Sequence, residues 1–363
     1  MNAIEKEIYK RDIPDVLTSK NGNQITSISE FEEHRAYVKK LLEDNIYGCL
    51  PKRPDHLSVE LVSEESRFCA GKAPLKVLKF NLTFGDKVWS FPVNAVIPKS
   101  DKKLPAFVSI NFHEEVSNRY LPMEEVIDSG FAVFSFCYHD VTRDNDDLND
   151  GVAKFLSPKR RCLNSPGKIA MWAWAAMRVM DYVQTLDTID LDNVAVIGHS
   201  RLGKTALLAA AFDERFKYAI SNDSGCTGAS MTRGKVGEDI CAITNRFPVW
   251  FCKRYSKYAT DVKKLPLDQN FLAALVAPRH LLIGSASDDT WADPKSEFIT
   301  AYVTDKVYKL YGLCGLVYDG DEIPTAKTVL DEGHICYQIR HGEHYLGRED
   351  WSVYMNYIKK HMK

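Results

Sequence analysis

Residues 193–212 read NVAVIGHSRLGKTALLAAAF, and they decide which fold the chain can adopt. An apolar run leads into the letters GHS, and a run with helical spacing follows at once. This order predicts a buried strand, a sharp turn and a helix, the unit from which α/β proteins are built. Two motifs fit the turn: the phosphate loop G-x-x-x-x-G-K-T from Gly198 to Thr205, and a nucleophile elbow centred on Ser200.

The rest of the chain shows the same alternation of strands and helices. Apolar, β-rich runs predict further strands at 76–84, 88–98, 104–112, 131–139, 218–225, 280–287 and 334–342. Helical spacing predicts helices at 29–46, 167–186, 203–212 and 348–362. The first two strand runs alternate in polarity and predict antiparallel pairing, whereas the next two are continuously apolar, as in strands covered on both faces. The sequence therefore predicts a mostly parallel central sheet with helices on both faces.

The domain organisation follows from the absence of any break in this pattern. The sequence shows no internal repeat, low-complexity tract or linker rich in Pro, Gly and Ser. We expect a single domain over residues 1–363, with a helical segment at 1–55 packed on it. Residues 226–278 lack a clear sheet pattern and predict an insertion that forms part of a cleft wall.

Composition narrows the classes of function. The 363 residues are 45% hydrophobic and 26% charged, with a formal net charge of −2, as in an ordinary globular protein. No run of Lys and Arg suggests a nucleic-acid partner, and no apolar run is long enough for a membrane helix. Nine cysteines without a C-x-x-C pair indicate reduced thiols and no structural zinc site. Because the N-terminus also lacks a signal-like run, we expect a cytoplasmic protein, whose oligomeric state stays open.

The residues that should accompany a phosphate loop are missing from the sequence. A nucleotide hydrolase needs an acidic residue at a strand end to complete its magnesium site. The run HLLIGSASDD at 280–289 comes nearest, but three residues separate its apolar part from the first Asp. The residues inside the loop, His199 to Leu202, are also bulky for a backbone that must wrap around an anion. A nucleotide hydrolase is therefore a remote alternative.

The elbow interpretation has its partners in the right chain order. A serine hydroxyl is a weak nucleophile at neutral pH and requires a histidine base that a carboxylate orients. In α/β-hydrolases the chain order is Ser, acid, His. After Ser200, the candidate acids and bases follow the last two predicted strands: Asp288, Asp289, Asp293, His341 and His344. The sequence therefore predicts an α/β-hydrolase fold with a serine nucleophile.

The turn departs from the general elbow at one position. Leu202 stands where the general motif has Gly, and the glycine comes one place later as Gly203. The resulting G-H-S-R-L-G-K resembles the G-x-S-R-x-G-K elbow of the glucuronoyl esterases, a family of α/β-hydrolases. The resemblance covers residues 30–360 and includes NIYGCLPKRP (45–54), DERFKYAISNDSGCTGAS (213–230), GED (237–239), ITNRFPVWF (243–251), LPLDQNFLAALVAPRHLLIGSASDDTWADP (265–294) and the closing HGEH and EDW. Bacterial esterases of xylan side chains, often called acetyl xylan esterases, share this architecture.

The resemblance implies a role for each member of a triad. Ser200 is the expected nucleophile, and His344 is the expected base, because the family's R-x-G-x-H ending places the base there and not at His341. Asp289, after the strand that precedes the histidine, is the expected acid. Asp223 falls where members of the family carry an alternative acid, usually Glu, and its side chain is one methylene shorter. Asp223 therefore stays as the alternative acid, with the capping of a turn as its structural interpretation.

The resemblance also implies an oxyanion site and contacts to a sugar. Arg201 follows the nucleophile, so its backbone N–H should face the developing oxyanion, and the family implies that its guanidinium contributes as well. Lys204, Glu238 and Trp291 match residues that bind sugar hydroxyls or stack on the uronate ring. Neither a metal nor an organic cofactor is implied.

Two departures from the family bear on the substrate. The family tends to show a glycine-bearing N-F-x-G-N-H stretch where this chain reads NFHEEVSN at 111–118. Because Glu114 and Glu115 would be unfavourable beside an oxyanion, we expect them to turn away from it or to restrict which substrate reaches it. Asn270 stands where relatives often carry His, and His113 is interpreted as a loop residue and not as a second base.

The expected function is the hydrolysis of a carbohydrate ester through an acyl-enzyme, with (4-O-methyl-)glucuronoyl esters as the first candidates. The alternative is an acetyl xylan esterase or carbohydrate deacetylase, and a non-catalytic carbohydrate binder is more remote. A cytoplasmic enzyme would meet a small uronate ester or an acylated oligosaccharide. The expected partner is therefore a small carbohydrate ester, with neither nucleic acid nor membrane.

Overall fold

A ten-stranded sheet forms the centre of the protein, in a computed structural model that describes residues 1–157 and 161–362. The strands in chain order are β1 (His56–Glu65), β2 (Leu75–Phe84), β3 (Lys87–Val96), β4 (Leu104–Asn111), β5 (Ala132–Cys137), β6 (Ile189–His199), β7 (Tyr218–Asn222), β8 (His280–Ala286), β9 (Thr328–Leu330) and β10 (Ile335–Arg340). Their order across the sheet is β1-β2-β3-β5-β4-β6-β7-β8-β10-β9. The run from β5 to β10 in this order pairs parallel, and the other pairings are antiparallel. The predicted fold class is confirmed.

Helices cover both faces of this sheet. In chain order they are α1 (Ala3–Arg11), α2 (Ile28–Leu42), α3 (Phe68–Gly71), α4 (Met123–Asp128), α5 (Tyr138–Val141), α6 (Ala153–Leu156), α7 (Lys168–Val183), α8 (Arg201–Phe212), α9 (Ile240–Arg246), α10 (Gln269–Ala274), α11 (Pro294–Leu310) and α12 (Arg348–His361). A π-helical turn at Glu43–Tyr47 and 3₁₀ turns at Tyr255–Tyr258 and Val262–Lys264 complete the regular structure. One apolar core lies beneath α7 and α8, and a second lies beneath α4 and α12.

The second half of strand β6, from Val194 onward, shows why its sequence is continuously apolar. Val194 and Val196 belong to the core beneath α7 and α8, whereas Ala195 and Ile197 belong to the core beneath α4 and α12. Successive side chains of a strand point to opposite faces, so a strand covered on both sides buries all of them. Each buried Val or Ile stabilises the fold by roughly 1.5–3 kcal/mol. The strand that ends at the predicted elbow is therefore firmly held.

The structure differs from the sequence-based expectation at the ends of strands, at both edges of the sheet and in two helices. The short edge strand β9 and the helices α1 and α11 were not predicted from the sequence. Strand β1 was not predicted, because its residues are mostly exposed and polar on both faces. The predicted strands at 131–139 and 218–225 are shorter, ending at Cys137 and at Asn222. The polar residues that follow them lie in turns at the carboxyl edge of the sheet, where ligand sites form in α/β proteins.

The N-terminal segment is attached by buried arginines. Arg11 at the end of α1 donates from Nη1 to the carbonyl of Arg233 (3.0 Å) and to Ser296 Oγ (2.7 Å). Arg35 of α2 donates to the carbonyls of Ala277 and Leu275, both at 2.8 Å. The segment 226–278 contains α9, α10 and the two 3₁₀ turns.

Two further features concern the whole of the described chain. The nine cysteines all lie within it and are free thiols. None of its helices combines the length and the apolar character that crossing a bilayer requires.

Candidate active site

Ser200 lies in a strained turn between β6 and α8. Its φ of 58° and ψ of −127° fall outside the regions that residues with a Cβ ordinarily occupy. The Ser200 N–H donates to the carbonyl of Asn222 at 2.9 Å, and its own carbonyl accepts from Gly203 and Lys204, which starts the helix at once. This is the geometry of a nucleophile elbow, which exposes the hydroxyl above the carboxyl edge of the sheet.

The packing around the turn explains the displaced glycine. A Cβ on Gly198 would lie 2.1 Å from the carbonyl oxygen of Leu202, so this position admits only glycine. A Cβ on Gly203 would lie 3.0 Å from both the Asn222 carbonyl oxygen and Ser224 Cβ, where α8 crosses the end of β7. Leu202 instead packs its side chain fully into the core. The glycine is therefore needed one residue later than in the general elbow.

The phosphate-loop interpretation of the same residues is wrong. Residues 201–205 belong to α8, so their N–H groups are not arranged as an open cradle for phosphate. Thr205 is fully buried and donates its hydroxyl to the Arg201 carbonyl at 2.9 Å, which removes it from any magnesium site. The ammonium of Lys204 donates a hydrogen bond to the carbonyl of Ser224.

His344 and Asp289 form a close pair beside the elbow. The Nδ1 atom of His344 lies 2.6 Å from Asp289 Oδ2, and the side chains are 43% and 5% exposed. Burial opposes ionisation of Asp289, but the hydrogen bonds from His344 and from the Ala292 N–H outweigh it, and the pKa of Asp289 lies below its usual value. An ionised Asp289 fixes the proton of His344 on Nδ1 and leaves Nε2 free to accept another.

Asp223 contacts the loop that carries His344 and not the Nδ1 of its imidazole. Its Oδ2 accepts from Arg340 Nη2 at 3.2 Å and from the Tyr345 N–H at 3.1 Å. Its Oδ1 is buried and has no hydrogen-bond partner. Burial, followed by the nearby Glu297, raises the pKa of Asp223 well above its usual value, and Arg340 only partly opposes them. Asp289, and not Asp223, makes the hydrogen bond to His344 Nδ1.

The guanidinium of Arg201 is held by a residue that the sequence did not indicate. Its Nη1 donates to Asp144 Oδ2, and it lies 4.8 Å above the ring centre of Trp250. Asp144 Oδ1 in turn accepts from Trp250 Nε1 at 2.6 Å. Asp144 lies in the stretch DVTRDNDDLND, where several acids at irregular spacing give no signal that singles one out.

A cavity of about 290 Å³ brings the predicted residues together. Its lining includes the following: Ser200, Arg201, Lys204, Asp223, Glu238, Arg246, Phe247, Trp250, Asp289, Trp291 and His344. Lys204 Nζ lies 3.8 Å from Glu238 Oε2, and both residues are buried. Trp291 presents a ring that is 52% exposed. The cavity thus combines an elbow serine, a His–Asp pair, a paired cation and carboxylate, and an open aromatic surface.

The unusual loop at 111–118 points its acids elsewhere. Glu114 and Glu115 are exposed and do not line the cavity of Ser200. Glu114 instead borders a separate cavity of about 790 Å³ that Asp140 and Asp144 also line. His113 packs against Tyr120, with ring centres 5.9 Å apart.

The remaining candidate residues lie outside the cavity. His341 is exposed, with Nδ1 3.4 Å from Ser287 Oγ, and Asp288 is exposed as well. Asp293 precedes α11 and caps it by accepting from the Ser296 N–H. Asn270 is buried and donates to the carbonyl of Pro14 at 2.9 Å, away from the site.

Fold and site together define the class of protein. A serine at a strained strand-to-helix turn that shares one cavity with a His–Asp pair, at the carboxyl edge of a mostly parallel sheet, is the arrangement of a serine ester hydrolase with the α/β-hydrolase fold.

Known proteins identify the family. The model of the fungal glucuronyl esterase family matches residues 80–312. Carbohydrate esterase MZ0003, from an unknown prokaryotic organism, is 33% identical over 99% of this chain and 92% of its own length. A 4-O-methyl-glucuronoyl methylesterase of Neurospora crassa is 27% identical over 83% of this chain and 73% of its own. The solved glucuronoyl esterase of Solibacter usitatus superimposes with a TM-score of 0.89 at 29% identity, covering 97% of this chain and 98% of its own. The chain belongs to the glucuronoyl esterase family and is a carboxylic-ester hydrolase.

Proposed function

We propose that the protein hydrolyses glucuronoyl esters, with Ser200 as nucleophile, His344 as base and Asp289 as the acid that orients the base. The observation that carries this proposal is the single cavity in which Ser200 and the His–Asp pair meet Trp291 and the Lys204–Glu238 pair. Pyranose rings are recognised by aromatic stacking and by charged hydrogen-bonding groups, and this cavity offers both. Relatives named for glucuronoyl esters support the same substrate class.

The first half-reaction forms an acyl-enzyme. His344 Nε2 takes the proton of Ser200 Oγ, and this oxygen attacks the ester carbonyl carbon. The carbonyl oxygen gains negative charge, which the Arg201 N–H at the start of α8 and the Arg201 guanidinium stabilise. When the tetrahedral intermediate collapses, the alcohol leaves with the proton from His344, and the uronoyl group stays on Ser200.

The second half-reaction uses the same groups in reverse. His344 Nε2 takes a proton from water, which attacks the acyl carbon, and then returns a proton to Ser200 Oγ as the uronate leaves. Asp289 stays ionised throughout and stabilises the imidazolium that forms twice in each cycle.

The acetyl ester is the second candidate for the acyl group. The specific observation in its favour is the 111–118 loop, which reads NFHEEVSN where the family resemblance implies a glycine-bearing stretch. An acetyl group would leave the Trp291 ring and the Lys204–Glu238 pair without a partner on the acyl side. The cytoplasmic location, and with it a small ester as the natural substrate, stays a prediction.

Initial rates on two substrates test the proposal. Benzyl glucuronate and an acetylated xylo-oligosaccharide are compared at equal concentrations, with Ser200→Ala as the blank. We expect faster release of benzyl alcohol, abolished in Ser200→Ala. Faster release of acetate, abolished in Ser200→Ala, would support Ser200 as the nucleophile and contradict the glucuronoyl acyl group.

A further inference from the structure

Three side chains lie close together at the catalytic cavity, two of them in its lining. They are His199, at the end of β6, Asp223, in the turn after β7, and His344, in the loop after β10. One ligand-type atom from each lies within 4.8 Å of the other two. The ring centres of His199 and His344 are 4.4 Å apart.

Hydrogen bonds on the far side of each group decide which atoms are free. His199 Nδ1 lies 2.7 Å from Asn222 Oδ1, and His344 Nδ1 lies 2.6 Å from Asp289 Oδ2. Both partners are acceptor oxygens, so each ring carries its proton on Nδ1 and offers a lone pair at Nε2. An amide or carboxylate oxygen that holds Nδ1–H in this way is the usual support of a metal-binding histidine.

Asp223 supplies the second, independent observation. The residue is 1% exposed, and Arg340 and the Tyr345 N–H occupy only its Oδ2. The buried Oδ1 has no partner, although a buried carboxylate oxygen ordinarily finds a donor or a cation. The cluster therefore offers two imidazole nitrogens and one carboxyl oxygen to a ligand, and because burial favours the protonated form of Asp223, a cation must displace that proton when it binds.

We propose that His199, Asp223 and His344 form an inhibitory site for a divalent transition-metal ion of the zinc type. Two imidazoles and one carboxylate are a donor set that Zn²⁺ accepts, whereas Mg²⁺ and Ca²⁺ prefer oxygen ligands alone. Bonds of about 2.0–2.2 Å place tetrahedral ligand atoms about 3.3–3.6 Å apart, so the cluster must contract when the ion binds. Of the three side chains, that of His344 is the most exposed, at 43%, so the contraction falls to it, and a water would complete the coordination.

Inhibition follows from the atom that the ion occupies. A metal bond at His344 Nε2 uses the lone pair that must take the proton of Ser200, so the metal-bound protein cannot form the acyl-enzyme. This consequence rests on the proposed role of His344 as the base, whereas binding itself does not.

Binding is tested without turnover, on Ser200→Ala, which retains all three ligands. Titration with Zn²⁺ in a calorimeter, and with Co²⁺ by visible absorption, should show one ion per chain that EDTA removes. Adding His199→Phe, which keeps a ring in place, or Asp223→Asn, which keeps the shape, should weaken binding by about tenfold or more. The matched control is His361→Gln, whose ring lies 5.1 Å from that of His280 at the start of β8, far from the three ligands, and which should leave the affinity unchanged.

The outcomes separate the two proposals. If Ser200→Ala binds no ion, or binds it equally well without His199 and without the Asp223 carboxylate, the metal site is wrong. If the ion binds as expected but the rate on benzyl glucuronate does not fall in proportion to occupancy, the site stands and the role of His344 as base fails. Loss of activity that His361→Gln relieves and His199→Phe does not would place the inhibitory ion elsewhere and overturn the proposal.

Discussion

The backbone of Ser200 holds a conformation that costs about 1–3 kcal/mol, and the buried β6 strand before it supplies the stability to hold it. Its place could be predicted from sequence, because an apolar strand, a glycine and a helix are local signals. His344 and Asp289 could be predicted as well, since chain order and position after a strand restrict the choice. Asp144 could not, because its partner Arg201 is distant in the sequence. The role of Arg340 could not either, because nothing in the R-x-G-x-H ending shows that its arginine bonds the carbonyls of the loop that follows.

Replacing each candidate acid with asparagine should affect kcat very differently. We expect Asp289→Asn to lower kcat by about three to four orders of magnitude, because an amide in its place favours the wrong tautomer of His344. Asp223→Asn should cost far less, since its oxygen supports the histidine loop and not the imidazole. Steady-state rates on benzyl glucuronate, with circular dichroism to confirm folding, decide the matter. A larger loss in Asp223→Asn would reverse the assignment.

At the scale of elements, the site is built from loops that follow strands and that hold one another. The Glu238 N–H donates to the carbonyl of Trp291 at 3.0 Å, and Gly237, with a φ of 71°, lets the two segments approach. Lys235 Nζ donates to the carbonyls of Trp291 (3.1 Å) and Ala292 (2.7 Å). The sequence predicted that both segments belong to the cleft, but a lysine in a polar loop carries no sign that it joins them.

Removing this lysine should affect only substrates that use the sugar wall. We expect Lys235→Met to raise KM for benzyl glucuronate about tenfold, because the Trp291 loop loses two charge-assisted hydrogen bonds. The KM for a small acyl ester such as p-nitrophenyl acetate should not change. Lys295→Met, which removes a partly exposed lysine that pairs with Glu7, serves as the control. Equal changes for both esters would show that Lys235 supports the fold in general.

Arg340 holds the loop that carries the catalytic histidine. Its Nη2 donates to the carbonyls of Glu343 (2.6 Å) and Tyr345 (2.7 Å), and its Nε donates to Asp350 at 3.1 Å. Lysine keeps the charge but cannot make these bonds together. We expect Arg340→Lys to lower kcat about ten- to a hundredfold with little change in KM, because misplacing the base slows only the chemical step.

A matched arginine shows whether this effect is specific. Arg279 is also largely buried and donates to the carbonyls of Phe216 (2.6 Å) and Leu275 (2.9 Å), away from the cavity. Arg279→Lys should lower the unfolding temperature and leave kcat per folded molecule unchanged. If both variants lose kcat equally, Arg340 has no positioning role.

At the scale of the whole molecule, the carboxyl edge of the sheet carries the site, and the amino edge carries a histidine cluster. The ring of His280, the first residue of β8, stacks on Tyr218 and His334 with centres 4.7 and 4.8 Å apart. Its Nδ1 lies 2.8 Å from the Tyr357 hydroxyl. Burial, with smaller contributions from His334 and His361, lowers the pKa of His280 to about 3. The parallel core could be predicted from its apolar runs, but this cluster could not, because its histidines come from separate elements.

Stability should therefore decrease as the pH falls below the pKa of an unfolded histidine. Between about pH 6.5 and pH 3 the unfolded chain binds a proton at His280 that the folded protein does not, which favours unfolding. At pH 5 this amounts to about 2 kcal/mol relative to pH 7. We expect the free energy of unfolding of His280→Phe, measured with urea at both pH values, to fall by about 2 kcal/mol less between pH 7 and pH 5 than that of the unchanged protein. An identical pH dependence in the variant would show that His280 is not responsible.

The most direct test of the proposed function asks whether the protein recognises the ring hydroxyls of the acyl group. The measurement compares kcat/KM for benzyl glucuronate and for benzyl tetrahydropyran-2-carboxylate, which has the same ester and ring but no ring hydroxyls. Because a site built to bind hydroxyls leaves its polar groups unpaired without them, we predict a preference of at least about a hundredfold for the glucuronate, which Lys204→Met reduces. Equal values for the two esters would contradict the glucuronoyl assignment and leave a serine esterase without a sugar-binding acyl site.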